Sequence, residues 1–220
     1  MKWQSFSLNR GIVFLSLVVL GLVLVSNHHL GYSFGDSIFR ALGLPPWSEQ
    51  GNHGLHISAI TGIFLLIAGY LGATIYYLPR YRKIRSRIII GCIAFVWLSP
   101  IVSEYAMFIL KYNSTGIRSV AYSLKDSQCS FQTYENNRVH ANCSLTLYNY
   151  GNQPTITLRP VTDNHPEIVF QPETFFVSPH SRVTINKEFI AVPDKELNFS
   201  GWSRVTKYEI EASGETKIVE

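Results

Sequence analysis

Four histidines stand in two pairs, His28-His29 and His53-x-x-His56, at either end of residues 27–56. Neutral imidazole nitrogens are ligands for copper and zinc, and Glu104 could add a carboxylate if the fold brought it near. Neither spacing carries a cysteine, methionine or acid in register, so ordinary solvation of interfacial histidines competes with a metal site. Cys129 and Cys143 could react with each other, whereas Cys92 lies in an apolar run and should stay unpaired. The chain has no G-x-S-x-G, no P-loop, no H-E-x-x-H and no C-x-x-C. His140, His165 and His180 have no readable nucleophile beside them. No catalytic residue is expected, and no cofactor beyond copper or zinc on the paired histidines.

These residues sit on a chain of uneven charge. Of 220 residues, 46% are hydrophobic and 15% charged, against about a quarter charged in an ordinary soluble domain. Residues 1–111 hold nine Lys and Arg against three acids (Asp36, Glu49, Glu104), and residues 112–220 hold ten against twelve. The dilution is confined to the first half. That pattern excludes one soluble globule, a disordered chain and a nucleic-acid binder with a basic face.

Three apolar runs lie in residues 1–111, with spans expected at about 8–26, 57–78 and 88–110. The first could instead be a secretory signal, since Lys2 and Arg10 precede it, but it ends in Val-Ser-Asn-His-His without a small-x-small cleavage site. In the second, Ala68, Gly69, Gly72 and Ala73 form overlapping small-xxx-small pairs, which let helix backbones approach closely in lipid. The third contains Pro100, which should kink it near Val96–Pro100, and Glu104. Glu104 would lie roughly 24 Å from the inner end of that span, at the outer headgroups.

The loop 79–87 carries Arg80, Arg82, Lys83, Arg85 and Arg87, a strong orientation signal by the excess of positive charge on cytoplasmic loops. The N-terminus should share its side, with residues 27–56 and 112–220 facing outward. The expected location is the cell membrane, crossed several times. Within the outer loop 27–56, Asp36 or Ser37 can cap a short interfacial helix through Leu42, ended by Gly43, with Trp47 as an anchor.

From residue 112 the polarity alternates with period two, most clearly over Val139–Leu147. If a hairpin turns at Glu135-Asn136-Asn137, Cys129 falls opposite Cys143 on the core face, where a disulfide fits; two buried free thiols are the alternative. An outward-facing compartment permits the bond. Further strands are expected at Ile117–Leu124, Thr155–Val161, Glu167–Phe170, Thr174–Val177, Arg182–Val192 with an irregularity near Lys187, and Val205–Ala212. Seven or eight short strands without a helical period argue an antiparallel sandwich over residues 112–220.

Leu145 to Pro154 (LTLYNYGNQP) followed by Phe176-Val177-Ser178-Pro179-His180-Ser181 carries a resemblance. Residues about 115–220 resemble immunoglobulin-like domains of the pilus-chaperone and major-sperm-protein kind, in which a strand–Asn–x–Gly turn precedes Phe-x-x-Pro-x-Ser. The resemblance implies a fold and leaves function open. The whole is thus read as a membrane α-helical region of three transmembrane helices plus a C-terminal all-β immunoglobulin-like sandwich. The expected function is a non-enzymatic accessory or interaction subunit of a cell-envelope complex. Its partners would be the lipid bilayer and another membrane or envelope protein, with no nucleic acid. A metal-binding or redox-linked membrane protein and an oligomeric transporter component are the alternatives.

Overall fold

The chain, seen as a computed structural model, is described over residues 3–49, 53–134, 138–162, 168–193, 200–203 and 207–219. It divides into two units, Met1–Glu104 and Tyr105–Glu220. The expected turn at 135–137, the start of the strand at Glu167, His165 and Val205 lie outside the described residues.

The first unit is helical: α1 (Trp3–Val25), α2 (Phe34–Ala41), a small hairpin of β1 (Trp47–Glu49) and β2 (His53–His56), and α3 (Ile57–Tyr77). α4 (Ile84–Leu110) begins in this unit and ends in the second. Of the three expected spans, α3 and α4 are long and apolar enough to cross a membrane, whereas the apolar part of α1, Arg10–Val25, is shorter. α4 starts earlier than expected, so Arg85 and Arg87 occupy its first turn and the connecting loop holds only Arg80, Arg82 and Lys83.

Glycines set the contact between α1 and α3. A Cβ on Gly21 would meet the Gly62 carbonyl at 2.6 Å, and one on Gly69 would meet the Val18 nitrogen at 2.6 Å. A Cβ on Gly72 would strike the Phe14 ring, and Ala73 is fully buried beside Val18 and Leu22. Backbones this close gain dispersion contacts that larger residues would forbid. α4 joins the cluster by a stripe of Ile84, Ile88, Cys92 and Phe95. Pro100 stands inside α4 and offers no N–H to the Val96 carbonyl; the Ser99 hydroxyl donates to that oxygen instead, at 3.3 Å.

α2 starts earlier than the sequence suggests. Ser33 is its N-cap, accepting from the Asp36 amide at 3.2 Å, so Asp36 falls inside the first turn rather than before it. The chain leaves α2 through Gly43 at φ +73, the left-handed region that glycine favours.

The second unit is all-β after the end of α4 and a 3-10 turn at Gly116–Ser119. Its strands are β3 (Val120–Thr133), β4 (Val139–Asn149), β5 (Thr155–Val161), β6 (Glu173–Phe176), β7 (Ser181–Ala191), β8 (Ser200–Ser203), β9 (Lys207–Ala212) and β10 (Glu215–Val219). They form two open antiparallel sheets, ordered β7-β4-β3-β8 and β10-β9-β5-β6. One core joins their inner faces, with Tyr122, Phe131, Leu145 and Leu147 from the first sheet and Ile156, Leu158, Tyr208 and Ile210 from the second. Alternation along β5 and over Val139–Ser144 of β4 buries one face of each, while Leu145–Asn149 at the end of β4 are buried on both.

The expected irregularity near Lys187 is absent: β4 and β7 pair without a break from Val139↔Ala191 to Asn149↔Ser181. Lys187 interrupts the apolar pattern for a different reason. It is an inward-facing charge on the edge strand β7, with Nζ 3.3 Å from Glu173 of the edge strand β6. The bulge lies instead in β3, between Ser123 and Gln128. β8 and β10 were not anticipated, although Ser213-Gly214, both at positive φ, is a two-residue hairpin signal.

The passage from β4 to β5 is held by buried amides. Asn149 Nδ2 donates to the Gln153 and Ser178 carbonyls at 2.7 and 3.0 Å. Gln153 Nε2 donates to the Thr155 carbonyl at 2.7 Å, while its Oε1 accepts from the Gly116 amide and the Ser213 hydroxyl, each at 3.0 Å. Gly151 lies so close to the Ser114 carbonyl that no Cβ fits. Gly151→Ala should therefore destabilise the β unit by about 1–3 kcal/mol through overpacking. Gly69→Leu should do the same to the helical unit, and limited proteolysis with mapped cleavage sites would assign each loss to its own unit.

Candidate functional site

The polar side chains of the helical unit converge on Asp36. Its carboxylate accepts from Ser58 Oγ at 2.5 Å, from His56 Nε2 at 2.6 Å and from Trp47 Nε1 at 3.3 Å. The His56 and Trp47 rings stack at 4.0 Å with 5° between their planes. These groups come from α2, the hairpin and the first turn of α3, so the knot ties the connecting segment to the start of a candidate span. Burial alone would raise the Asp36 pKa, but the hydrogen bonds from Ser58 and His56, the His56 charge and the bond from Trp47 outweigh it and hold it below the usual carboxylate value. Ser58 gives its proton to Asp36 and not to His56. The trio therefore lacks the hydroxyl-to-imidazole contact that nucleophilic catalysis needs.

His28 and His29 follow α1. The His28 ring sits 5.4 Å from those of both Tyr32 and Phe34, and its Nδ1 accepts from the Leu30 amide at 3.2 Å. Burial lowers its pKa and favours the neutral ring. Ser103 Oγ donates to the Pro100 carbonyl at 2.9 Å, so it accepts from both the His29 amide and His29 Nδ1–H, each at 3.1 Å. His28 closes the turn after α1, and His29 ties that turn to Ser103 of α4.

Of the expected metal set, the described side chains of His28, His29, His56 and Glu104 form no cluster, and that of His53 lies outside what is described. Among the described residues no group of three or more His, Cys, Asp or Glu could hold an ion. His56 points to Asp36, 20 residues away in sequence and the missed centre of the site. The signal was available: Asp36 is the one acid between the histidine pairs apart from Glu49.

The small residues Gly69, Gly72 and Ala73 face α1, with Ala68 half-buried beside them. Arg80, Arg82, Lys83, Arg85 and Arg87 are all exposed. Cys129 and Cys143 are register partners on β3 and β4, with Cα atoms 4.1 Å apart and their sulfurs at disulfide distance. The Tyr208 hydroxyl lies 2.7 Å from Cys129 Sγ. On the outer face of the same sheet, Gln128, Ser130, Asn142, Ser144, Asn186 and Glu188 line a shallow polar depression.

Comparison of the chain with models of protein families, with curated proteins and with solved structures gives no match. The class that the fold defines is accordingly coarse: an N-terminal helical part with two apolar candidate spans, followed by an all-β region of open sheets.

Both depressed pKa values make the helical unit sensitive to acid. A group whose pKa is lower folded than unfolded contributes stability that is fully present above its ordinary pKa and lost as pH falls toward the depressed one. Thermal melts in detergent should thus lose stability first through the histidine range, from His28, and again through the carboxylate range, from Asp36. Asp36→Asn should cost about 1–2 kcal/mol at neutral pH and remove the second loss.

Proposed function

We propose that the chain is a non-enzymatic multi-pass membrane protein that presents an outward-facing immunoglobulin-like sandwich as an accessory or interaction subunit of a cell-envelope complex. In this reading α1, α3 and α4 all cross the membrane. The N-terminus and the basic residues from Arg80 to Arg87 lie in the cytoplasm, and the β unit lies outside.

The observation that carries the proposal is the surface of α4. Ile90, Ile93, Trp97 and Val102 are 66%, 65%, 70% and 62% exposed. A helix so apolar on its open sides requires lipid or another apolar helix against it. The small-residue face of α3, the other surface suited to a partner, is already filled by α1. The open apolar side of α4 and the edges of the two sheets are the contact surfaces we assign to a partner, while Phe64 and Ile75 on α3 are equally open to lipid. Within the β unit, Phe108 in the last turn of α4 packs on Tyr150 at 5.0 Å.

Purification from the native membrane in mild detergent, followed by mass spectrometry of copurifying proteins and metals, should find a stoichiometric protein and no copper or zinc. Ile93→Ala combined with Trp97→Ala should lose that protein. Recovery of the chain alone would refute the subunit reading. Orientation has its own check. A cysteine at Asn113→Cys should react with a membrane-impermeant maleimide in intact cells, and one at Ser86→Cys only after permeabilisation.

A further inference from the structure

Lys111 is the first residue after α4, and its ammonium is only partly satisfied. Nζ donates to the Arg118 carbonyl at 2.8 Å and lies 5.5 Å from the Tyr150 ring centre, which leaves donors to spare. Lys217 stands on β10, the strand that packs on the turn Gly116–Ser119 whose Arg118 carbonyl Lys111 holds, and burial first, with Lys217 as a like charge second, lowers the Lys111 pKa. Elsewhere in the unit Arg159, Arg182 and Lys187 each have a carboxylate: Glu209, Asp126 and Glu173. Among the described residues no acid makes an ion pair with Lys111, Arg118 or Lys217. Two cations held together without an acid leave a repulsion that a bound anion would relieve.

The neighbours of Lys111 indicate which anion. Ile109 and Leu110 just before it are 76% and 78% exposed, and Tyr112 just after it is 57% exposed. Apolar residues, then a cation, then an aromatic ring is the order found where a helix leaves the hydrocarbon for the headgroups. A free phosphate ion would have no use for the two aliphatic side chains, whereas a phospholipid offers acyl chains to them and phosphate to the lysines. We propose that Lys111 and Lys217 bind the phosphate of an anionic phospholipid in the leaflet where α4 ends. The proposal rests on the reading of α4 as a membrane span.

The test counts lipids retained by the full chain in native mass spectrometry. The protein, in mild detergent, is given equal amounts of phosphatidylglycerol and phosphatidylcholine. All variants are made on an Arg82→Gln, Arg85→Gln background, which removes competing retention by the basic loop. That background should keep phosphatidylglycerol several-fold over phosphatidylcholine. Adding Lys111→Gln and Lys217→Gln should lower the preference by up to about 25-fold, roughly fivefold for each charge near the surface. Lys111→Arg should retain it, which separates loss of charge from loss of fold. Equal retention of the two lipids before the lysines are changed, or an undiminished preference afterwards, would overturn the proposal. Abolition of the preference by millimolar inorganic phosphate would overturn the lipid as the source. Release of the chain from membranes by alkaline carbonate would instead overturn the span reading, and is scored separately.

Discussion

The β unit depends on the need to satisfy amides in a place that water does not reach. An unpaired polar group there costs more than a typical hydrogen bond contributes, so a closed set of bonds is far more stable than a partial one. Asn149 and Gln153 make most of such a set at the crossing from one sheet to the other, with only the Asn149 Oδ1 of the two amides left without a partner among the described residues. They hold backbone from the segment after α4, from the turn before β7 and from the start of β5, and the Ser213 hydroxyl between β9 and β10. Pieces distant in sequence are thereby fixed to one corner. The hydrophobic core can then fill the space between the sheets without also having to set their register.

The helical unit meets the opposite problem. Apolar side chains give little reason to associate when the surroundings are equally apolar, so shape must do the work. Gly21, Gly62, Gly69 and Gly72 let α1 and α3 touch along their backbones, and α4 adds only one stripe to that pair. The polar knot around Asp36 then fixes the segment between α1 and α3, where water again competes for every hydrogen bond. Proximity of titratable groups in that segment is explained by its architecture.

The candidate spans were legible because a run of more than twenty apolar residues has few other uses. β4 was legible because its alternation is uninterrupted, and the same parity placed Cys129 across from Cys143. What escaped notice was short or non-local. β1, β2 and β8 have three or four residues each, too few for a period to show. Lys187 looked like a break because edge position cannot be read from one strand alone. In sequence Asp36 reads as a helix cap, because its partners, Trp47, His56 and Ser58, follow at spacings that no local pattern records. The histidines looked like ligands for the same reason, since residue type is visible in sequence and convergence is not.

The sheet order has a consequence for the sequence of events during folding. β3 pairs with β4, its neighbour in the chain, but its other side waits for Ser200–Ser203, and β5 waits for β9. Loop-closure entropy makes such distant pairings slow, whereas the β3–β4 hairpin needs only a short loop. Until residues 200–212 are in place, β3 and β5 each keep one unpaired side and both walls of the core are incomplete. The hairpin that carries Cys129 and Cys143 is thus the natural first structure of the unit, and β8 and β9 are the strands that complete the two sheets around it.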